Sequence, residues 1–598
     1  MPAMDKSKSA HNLLALLISF SLLFAIVCLG ISFLSFGFLK PVIDSLAPDG
    51  QVESLTQSSL SIALIAIRVI GGFCAFVALG LLILRSKFLP GLAKLLEMIS
   101  WKNLTKDFRK IFAISPGEHV DRIYLVALLV ITLLALLIRL IFISKPMSHD
   151  EAYTFLAFAS RSFRVVISDY HLPNNHVFHT ILVYLAYHLF GNQPWIIRLP
   201  ALVAGVLVVP ATYWVGCLFY DRNTAILSAA LVASASPLIS YSTSARGYSL
   251  LGLFTLLILG LGVLVKDNKN LLAWILIVVL SSLGFYTNPT MLYPFGILMT
   301  WLLVSALLKD VAAEYNSIFF YYLLLSGISV VFITILLYTP IITFSGLNNL
   351  IGNSVIASLN WEDFQQSIWV RAQNTWEDWT EGVPILIITL LVIGIIISLI
   401  FHRKLSAHRF PLQIAAVIWI AVALIIQKVA PWPRIWLFLL PLFIIWGTSG
   451  LIYLLSLVIS QKPFSEKGYP VILGLAIFVP AFLLTTYSIN PPYPAQIIGP
   501  EEEITRYLKD YLQPGDVVVA TSPTRAQVGY YFSAYGISED FFYTQGSKFN
   551  RAIVLVNEKQ GEPLESVIQH TGLSDQLDSH LANPIRQFRY AIVYEISR

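Results

Sequence analysis

The strongest constraint on the fold of this 598-residue chain is a series of apolar runs, most of them long enough to cross a bilayer. A bilayer core requires about 20 mostly apolar residues per helix. Charged residues make up 12% of the chain, against about 25% in a soluble protein. The sequence therefore predicts an all-α polytopic membrane protein with about 13 transmembrane helices. The runs lie near residues 12–39, 60–85, 123–143, 196–219, 224–240, 247–265, 271–286, 290–308, 318–343, 383–401, 412–429, 433–457 and 470–488.

The distribution of basic residues predicts how these helices are oriented, because short cytoplasmic loops are enriched in Lys and Arg. Lys6 and Lys8 place the N-terminus in the cytoplasm, and the basic segments 86–122 and 402–409 belong on the same side. We count membrane crossings forward from the N-terminus and backward from the basic segment 402–409. The two counts agree only if the apolar segment 176–190, which is short for a span, makes no crossing. We therefore expect a juxtamembrane or re-entrant helix there and an extracytoplasmic C-terminus.

The chain changes character near its C-terminal end, where the apolar runs stop. Helix patterns such as "EEEITRYLKDYL" and "TRAQVGYYFSAYG" alternate with β-rich runs such as "RAIVLVNE", which is typical of a small α/β domain. The stiff segment "INPPYP" is the predicted linker into it. The predicted parts are two N-terminal helices with a basic cytoplasmic loop, a transmembrane catalytic domain with two outer loops, and an extracytoplasmic α/β domain. Their bounds are 1–122, 123–488 (loops 144–195 and 344–382) and 489–598.

Two bulk features narrow the class of protein further. The three cysteines all lie in apolar runs, so the fold is not expected to depend on disulfide crosslinks. The net charge of +5 is small, and we expect no nucleic-acid partner. Short loops and the lack of structural cysteines favour a bacterial plasma (inner) membrane as the location.

An acidic pair follows one of the apolar runs, in the segment "MSHDEAYTFL". Asp150 and Glu151 would be costly in contact with lipid, and ionisable groups at membrane level are usually functional. The predicted orientation puts them at the outer face together with three cations that end other runs. A carboxylate base facing cations suits the transfer of a group off a lipid phosphate, because Arg binds phosphate bidentately. The three cations are Arg246, Lys428 and Arg434.

Less specific interpretations of these residues stay open. A single Arg at the end of a span is often an anchor that reaches for the interface, and we favour this for Arg139 and Arg198. His176 and His179 share a helix face and could bind a metal, although such histidines are more often hydrogen-bonded packing residues. The acidic pair could be a solvated loop charge. Several aromatic residues of the outer loops fit an interface belt better than a sugar platform: Tyr153, Trp361, Trp376 and Trp379.

Three motifs in one order resemble a known family. They are "DEAY", then "PNNHVFHTILVYLAYHLFGNQPWIIRLPALVAG", then "ARGY", and together they are similar to the GT-C superfamily of glycosyltransferases. Over residues 123–460 the chain looks most like the branch of protein O-mannosyltransferases and aminoarabinose transferases. The resemblance implies an integral membrane enzyme that takes a sugar from a polyprenyl-phosphate carrier. Transfer would go to a lipid, glycan or protein acceptor hydroxyl at the outer face, with inversion at the anomeric carbon.

The resemblance also implies roles for single residues. Asp150 matches the catalytic carboxylate, with Glu151 beside it, and is expected to act as general base. Arg246 in "ARGY" and Arg434 in "PRIW" match basic positions near the carrier phosphate, and Lys428 is a third candidate by its charge. A divalent cation near the acidic pair stays open, and no other cofactor is expected. The candidate sugar-binding and acceptor-binding residues are Tyr153, Asp169, His171, Asn174, Asn175, His176, Tyr248, Tyr286 and Asn288.

The chain departs from the family pattern at two places. It reads "LPNNHVFH" where many relatives have His-Pro-Pro-Leu, and Asn288 stands where they often have His. Asp169 is the nearby carboxylate that could replace a second catalytic acid. The main alternative function is a transporter or flippase of lipid-linked sugars, a class that often has internal repeats and polar residues at mid-membrane. We find no such repeat, and the polar residues gather at one face. A membrane scaffold acting through its C-terminal domain ranks below both.

Overall fold

The protein consists of a bundle of apolar helices followed by a small domain that contains a β-sheet. Helices overlap all thirteen predicted apolar runs. Almost all of the predicted linker "INPPYP" and much of the basic segment 86–122 lie outside the described residues. The computed structural model describes residues 3–46, 57–86, 89–90, 101–111, 119–267, 270–312, 316–351, 358–458, 469–489, 500–546, 548–558 and 561–597.

The bundle starts with helices that lead into the segment containing the acidic pair. They are α1 (Ala3–Ser32), α2 (Phe36–Leu46), α3 (Gln57–Ile83), α4 (Trp101–Ile111), α5 (His119–Phe142), α6 (His149–Thr154), α7 (Phe163–Ser168), α8 (Val177–Phe190) and α9 (Pro194–Ile197). Its middle part comprises α10 (Leu199–Phe219), α11 (Arg222–Ser234), α12 (Ser236–Ser242), α13 (Tyr248–Asp267), α14 (Leu271–Thr287), α15 (Leu292–Leu307), α16 (Asn316–Phe344) and α17 (Leu347–Ile351).

The bundle ends with α18 (Trp361–Thr380), α19 (Ile385–Ile400), α20 (His402–Leu405), α21 (Leu412–Gln427), α22 (Leu440–Val458) and α23 (Tyr469–Ile489). A π-helix at Phe155–Ala159 continues α6, and short 3-10 helices lie at Pro289–Met291 and Pro433–Leu439. α8, which covers the segment predicted not to cross the membrane, has 14 residues and ends at Gly191, where φ is 98°. That length is short of the roughly 20 residues that a bilayer requires.

The apolar surface of the bundle fits a lipid environment. Seven helices among the described residues are long and apolar enough to cross a membrane, or nine if two bent helix pairs each form one span. Side chains such as Phe76, Ile141, Ile385 and Ile426 are 73–76% exposed. Soluble monomers rarely expose large contiguous apolar patches. The protein is therefore an integral multi-pass membrane protein, whereas the thirteen crossings and their orientation stay predictions.

The predicted run 224–240 is not one straight helix. α11 ends at Ser234, α12 begins at Ser236, and their axes are bent by 61°. Ala235 between them is extended because Pro237, in the first turn of α12, cannot continue the hydrogen bonding of α11. The bend leads the chain into the short loop that carries Arg246.

Most of the predicted outer loop 344–382 is helical rather than irregular. α18 has 20 residues and is bent by 117° against α19. The side chain of Asn360 accepts a hydrogen bond from the Asp363 N–H and so caps the start of α18. Because α18 packs against the 3-10 helix at Pro433–Leu439, residues of the predicted loop lie beside Arg434.

Glycines allow α19 and α22 to pack backbone to backbone. A Cβ added at Gly394 would lie 2.0 Å from the carbonyl oxygen of Gly447, and one at Gly450 would lie 1.9 Å from the carbonyl oxygen of Gly394. Gly447 and Gly450 are three residues apart and share one face of α22. Small residues of this kind let membrane helices approach closely. The contact fixes α22 and thereby the 3-10 helix that precedes it and carries Arg434.

The C-terminal domain is a small α/β unit, as predicted. Its sheet has the order β1-β2-β4-β3, with β1 and β2 parallel and the other pairs antiparallel. Two apolar clusters cover the two faces of the sheet. The helix predicted over "TRAQVGYYFSAY" is confirmed, and Gly536 ends it with φ at 70°. The elements are α24 (Glu501–Tyr511), β1 (Asp516–Val519), α25 (Thr524–Tyr535), β2 (Arg551–Asn557), α26 (Leu564–His570), β3 (Asn583–Phe588) and β4 (Ala591–Ser597).

Candidate functional site

The acidic pair lies in the first turn of α6, and its two carboxylates have different surroundings. Ser148 precedes the helix, and both its backbone N–H and its hydroxyl donate to Oε2 of Glu151, at 3.1 and 2.8 Å. Glu151 is buried, whereas the side chain of Asp150 is 36% exposed. Successive residues of an α-helix point about 100° apart, so the two carboxylates leave α6 in different directions.

Glu151 forms a buried ion pair with Arg198. Its Oε1 accepts from Arg198 Nε at 2.7 Å and from the Ala245 N–H at 2.6 Å, and its Oε2 accepts from Arg198 Nη2 at 3.0 Å. Burial alone would raise the pKa of the Glu151 carboxyl, but the adjacent Arg198 outweighs burial and lowers that pKa. Both oxygens accept from protein donors, which fits a structural role for Glu151, while its direct part in catalysis stays a prediction.

The two arginines interpreted as interface anchors are instead fully buried. Arg198 Nη1 donates to the carbonyls of Ile143 and Lys145, in addition to the contacts with Glu151. Arg139 donates to the Ser242 hydroxyl at 2.8 Å and to two backbone carbonyls. The anchor prediction was wrong, because each guanidinium finds protein acceptors that replace the water of the interface.

Asp150 faces Arg434, which the 3-10 helix at Pro433–Leu439 positions. Arg434 Nη1 lies 3.5 Å from Asp150 Oδ2, and both side chains are more than a third exposed. The exposed carboxylate and the exposed guanidinium are therefore neighbours that a bound substrate can reach. The sequence placed this pair at one membrane level although 284 residues separate its members.

A second cation, Arg371, was missed by the sequence analysis. It lies on α18, and its guanidinium carbon is 3.3 Å from the ring centroid of Trp432. The guanidinium of Arg434 lies 5.7 Å from the same ring. Trp432 thus links Arg371 to Arg434, the arginine that faces Asp150, by cation–π contacts. The available signal was that Arg371 is the only Lys or Arg within 344–382.

The other two predicted phosphate-binding residues are placed differently. Arg246 is 4% exposed, and its Nη1 donates to the Thr154 hydroxyl at 2.7 Å and to the Asn174 carbonyl at 2.8 Å. Arg246 therefore joins α6 to the segment at Asn174 by buried hydrogen bonds. Lys428 ends α21 in a left-handed conformation with φ at 49°, and its carbonyl accepts from the Leu359 N–H. The ion pair of Asp150 involves Arg434 and neither of these residues.

Several predicted substrate-binding residues support the site from within. Asn174 donates to the Asp150 carbonyl at 3.3 Å, and Asn175 donates to the carbonyls of Val166 and Asp169. His176 Nδ1 accepts from the Gly247 N–H at 2.9 Å. Asn288 caps the 3-10 helix at Pro289–Met291, Tyr286 packs on Tyr338, and the ring of Tyr248 packs on that of His176.

Tyr153, His171 and Asp169 form a hydrogen-bonded chain at the exposed side of α6. His171 Nδ1 lies 2.6 Å from Asp169 Oδ1, and His171 Nε2 lies 2.6 Å from the Tyr153 hydroxyl. The side chains of His171 and Asp169 are 45% and 31% exposed. The hydrogen bond that the Asp169 carboxylate accepts from His171 raises the pKa of His171. Tyr153 lies on α6 three residues after Asp150, so the chain borders the same exposed face.

We expect Asp169→Asn to lower the pKa of His171. The carboxylate favours the protonated ring, so the folded pKa lies above the unfolded one. The stabilisation is therefore complete below the unfolded pKa and is lost as the pH rises through the folded pKa. NMR titration of histidine-labelled protein measures the change, with His171→Asn to assign the signal. An unchanged His171 pKa in Asp169→Asn would contradict the hydrogen-bonded chain.

The predicted divalent cation does not fit the residues at the acidic pair. Glu151 is saturated with donors, and Asp150 faces a guanidinium. In the part of the chain that the structure describes, no three His, Cys, Asp or Glu side chains converge as a metal site. His179 is buried on α8, and neither of its ring nitrogens has a hydrogen-bond partner among the described residues.

No protein-family model matches the chain, and no curated protein matches it. Among solved structures, ArnT from Cupriavidus metallidurans in the apo state superposes with a TM-score of 0.51 at 12% identity, over 78% of this chain and 97% of that one. ArnT from the same organism bound to undecaprenyl phosphate has a TM-score of 0.45 at 11% identity, with the same two coverages. The archaeal oligosaccharyltransferase AglB from Archaeoglobus fulgidus, in complex with an inhibitory peptide and a dolichol-phosphate, has a TM-score of 0.45 at 12% identity, over 73% of this chain and 70% of that one.

At these identities the likeness concerns the fold and not the activity. The superposition on apo ArnT spans nearly the whole of that protein. This chain itself has the apolar helices of a polytopic membrane protein and a small C-terminal sheet. The protein therefore has the fold of the GT-C membrane glycosyltransferases.

Proposed function

We propose that this protein is a membrane glycosyltransferase that moves a sugar from a polyprenyl-phosphate carrier to an acceptor hydroxyl at the extracytoplasmic face. The observation that carries the proposal is the exposed Asp150 carboxylate 3.5 Å from Arg434, whose guanidinium shares the ring of Trp432 with Arg371. A base can deprotonate the acceptor hydroxyl, and guanidiniums can stabilise the charge on a departing phosphate. The neighbours ArnT and AglB, whose structures hold undecaprenyl phosphate and a dolichol-phosphate, support a lipid carrier of this kind.

The proposed reaction is a single displacement with inversion at the anomeric carbon. Asp150 takes the proton of the acceptor hydroxyl while the acceptor oxygen forms a bond to that carbon. The bond between the carbon and the phosphate oxygen breaks, and the phosphate leaves with the electron pair. Arg434 and Arg371 stabilise the charge that develops on the phosphate.

An apolar cavity provides a place for the isoprenoid tail. The space between its walls is about 710 Å³, part of it open to the surroundings, and the walls come from α11, α12, α18, α19, α22 and α23. Trp376 and Trp379 of α18 line the cavity. Arg371 lies five residues from Trp376 on the same helix, which corresponds to about 7.5 Å at 1.5 Å per residue.

A transfer assay in sealed vesicles tests the proposed function directly. Full-length protein is reconstituted with radiolabelled polyprenyl-phosphate sugars and with the lipids and envelope extract of a bacterium as acceptors. The expected result is consumption of the donor with label in an acceptor. Movement of the intact donor across the bilayer without consumption would instead indicate the flippase. Consumption by protein-free vesicles serves as the background.

We expect Arg434→Ala to weaken donor binding by about 10-fold to 100-fold, since a hydrogen bond to a charged group contributes about 1.5–3 kcal/mol. Arg371→Ala should act in the same direction, because it removes the second cation beside the phosphate. Arg403→Ala, an exposed cation on α20, is the matched control and should leave donor affinity unchanged. Affinity is measured by equilibrium binding of labelled donor to purified protein. An Arg434→Ala variant with wild-type donor affinity would assign Arg434 to anchoring.

A further inference from the structure

We propose that the C-terminal domain positions the catalytic carboxylate, through two side chains of α25 that hold the backbone of Met147. The inference rests on the proposed function of Asp150. No role for the C-terminal domain was predicted from the sequence. Gln527 and Tyr531 are the proposed positioning residues.

Both polar groups of the Met147 backbone are bound by α25. The Met147 N–H donates to the Tyr531 hydroxyl at 2.9 Å, and the Gln527 side-chain amide donates to the Met147 carbonyl at 3.0 Å. Gln527 and Tyr531 are four residues apart, so they lie on the same face of α25. Met147 stands three residues before Asp150. One face of one helix in the C-terminal domain therefore fixes the entry to α6.

Apolar packing adds to the hydrogen bonds. Tyr530 is fully buried, and its ring meets that of Phe155 edge to face at 5.3 Å. The hydroxyl of Tyr530 donates to the carbonyl of Asn192, which precedes α9. Met147, Phe155 and both tyrosines belong to one buried cluster. The C-terminal domain thus supplies part of the core of the outer segment that carries Asp150.

The segment depends on such support because of its size. α6 has six residues, whereas isolated helices shorter than about 12 residues are marginal in water. Arg434 approaches Asp150 from a different element, so their separation depends on where α6 is held. Catalytic groups must stay within about 0.5 Å of their productive position. Release of Met147 from α25 should therefore reduce turnover without a matching loss of donor affinity, because the arginines do not belong to this contact.

Two isosteric variants of the full chain test the proposal. Tyr531→Phe removes the hydroxyl that accepts from Met147, and Gln527→Glu presents an acceptor to the Met147 carbonyl in place of a donor. Tyr543→Phe removes a tyrosine hydroxyl from the cluster on the other face of the sheet and is the matched control. Hydrogen exchange of residues 149–159 is the first measurement, and donor affinity and kcat are the second.

The expected result is faster exchange of 149–159 and a lower kcat in both variants, each by about threefold to tenfold, the range that one lost hydrogen bond allows. Donor affinity should not change, and Tyr543→Phe should match the wild type in every measurement. Unchanged exchange in both variants would overturn the proposal whatever the activity. Faster exchange with normal kcat would overturn the positioning of Asp150. If the wild type itself transferred no sugar, the proposed function would fail, and exchange alone would decide whether α25 holds this segment.

Discussion

Asp150→Asn should reduce sugar transfer by about 10²-fold to 10⁴-fold, the usual contribution of a general base. The amide has nearly the shape of the carboxylate but cannot take the proton of the acceptor hydroxyl. Donor binding should be unchanged or tighter, because Asp150 no longer competes with the carrier phosphate for Arg434, 3.5 Å away. Activity that falls while donor affinity is kept is the signature of a group that acts on the acceptor.

The measurement is single-turnover transfer in vesicles, combined with equilibrium binding of labelled donor. Asp363→Asn is the control, since Asp363 is an exposed carboxylate in the first turn of α18. The thermal unfolding temperature of Asp150→Asn should equal that of the wild type, because the carboxylate is 36% exposed and its ion pair is a surface one. Near-normal turnover by Asp150→Asn would refute the assignment of the base.

The helices and their order could be predicted from the sequence because a membrane helix is specified by its own composition. In lipid, the backbone N–H and C=O groups of an apolar run must form hydrogen bonds within the run. A run of sufficient length therefore indicates a helix, whatever segments pack beside it. The same locality made the C-terminal helix over "TRAQVGYYFSAY" predictable, since Gly536 supplies its left-handed end. The break at Ala235 is also local, and the Pro237 that causes it is visible in the sequence.

The division of labour between the two acidic residues could not be predicted in this way. The side chains of adjacent residues in "DEAY" point in different directions from the helix, and distant segments of the chain determine what each side chain contacts. Glu151 meets Arg198, 47 residues away, and the backbone of Ala245, 94 residues away. Burial of charge is a tertiary property, so a pattern read along the chain could not separate the structural carboxylate from the exposed one.

The second cation of the site was missed for a related reason. The segment 344–382 was predicted to be an outer loop, and a residue within a loop has no predicted position. α18 instead folds at 117° to α19 and carries Arg371 onto Trp432. The cation–π contact joins two segments about 60 residues apart. Trp432 directly precedes the motif "PRIW" that contains Arg434, whereas Arg371 lies outside every motif.

Glu151→Gln should destabilise the fold by about 3–5 kcal/mol, the cost of removing one partner of a buried ion pair. The variant leaves the Arg198 guanidinium buried without its counter-charge, and the new amide nitrogen faces donors. The lowered pKa of Glu151 fixes the pH dependence: its stabilisation is present above the unfolded pKa of glutamate and is lost as the pH falls through the folded pKa. In Glu151→Gln, the free energy of unfolding should lack the part of its pH dependence that comes from this carboxyl.

The comparison of Glu151→Gln with Asp150→Asn separates the two roles in one experiment. Both substitutions exchange a carboxylate for its amide in the same turn of α6, so each serves as the control for the other. Thermal unfolding in detergent should show a loss for Glu151→Gln alone, and residual activity per folded molecule should be low for Asp150→Asn alone. A stable but inactive Glu151→Gln would return Glu151 to the reacting centre, because a lost positioning contact is expected to lower kcat by about threefold to tenfold and not to abolish turnover.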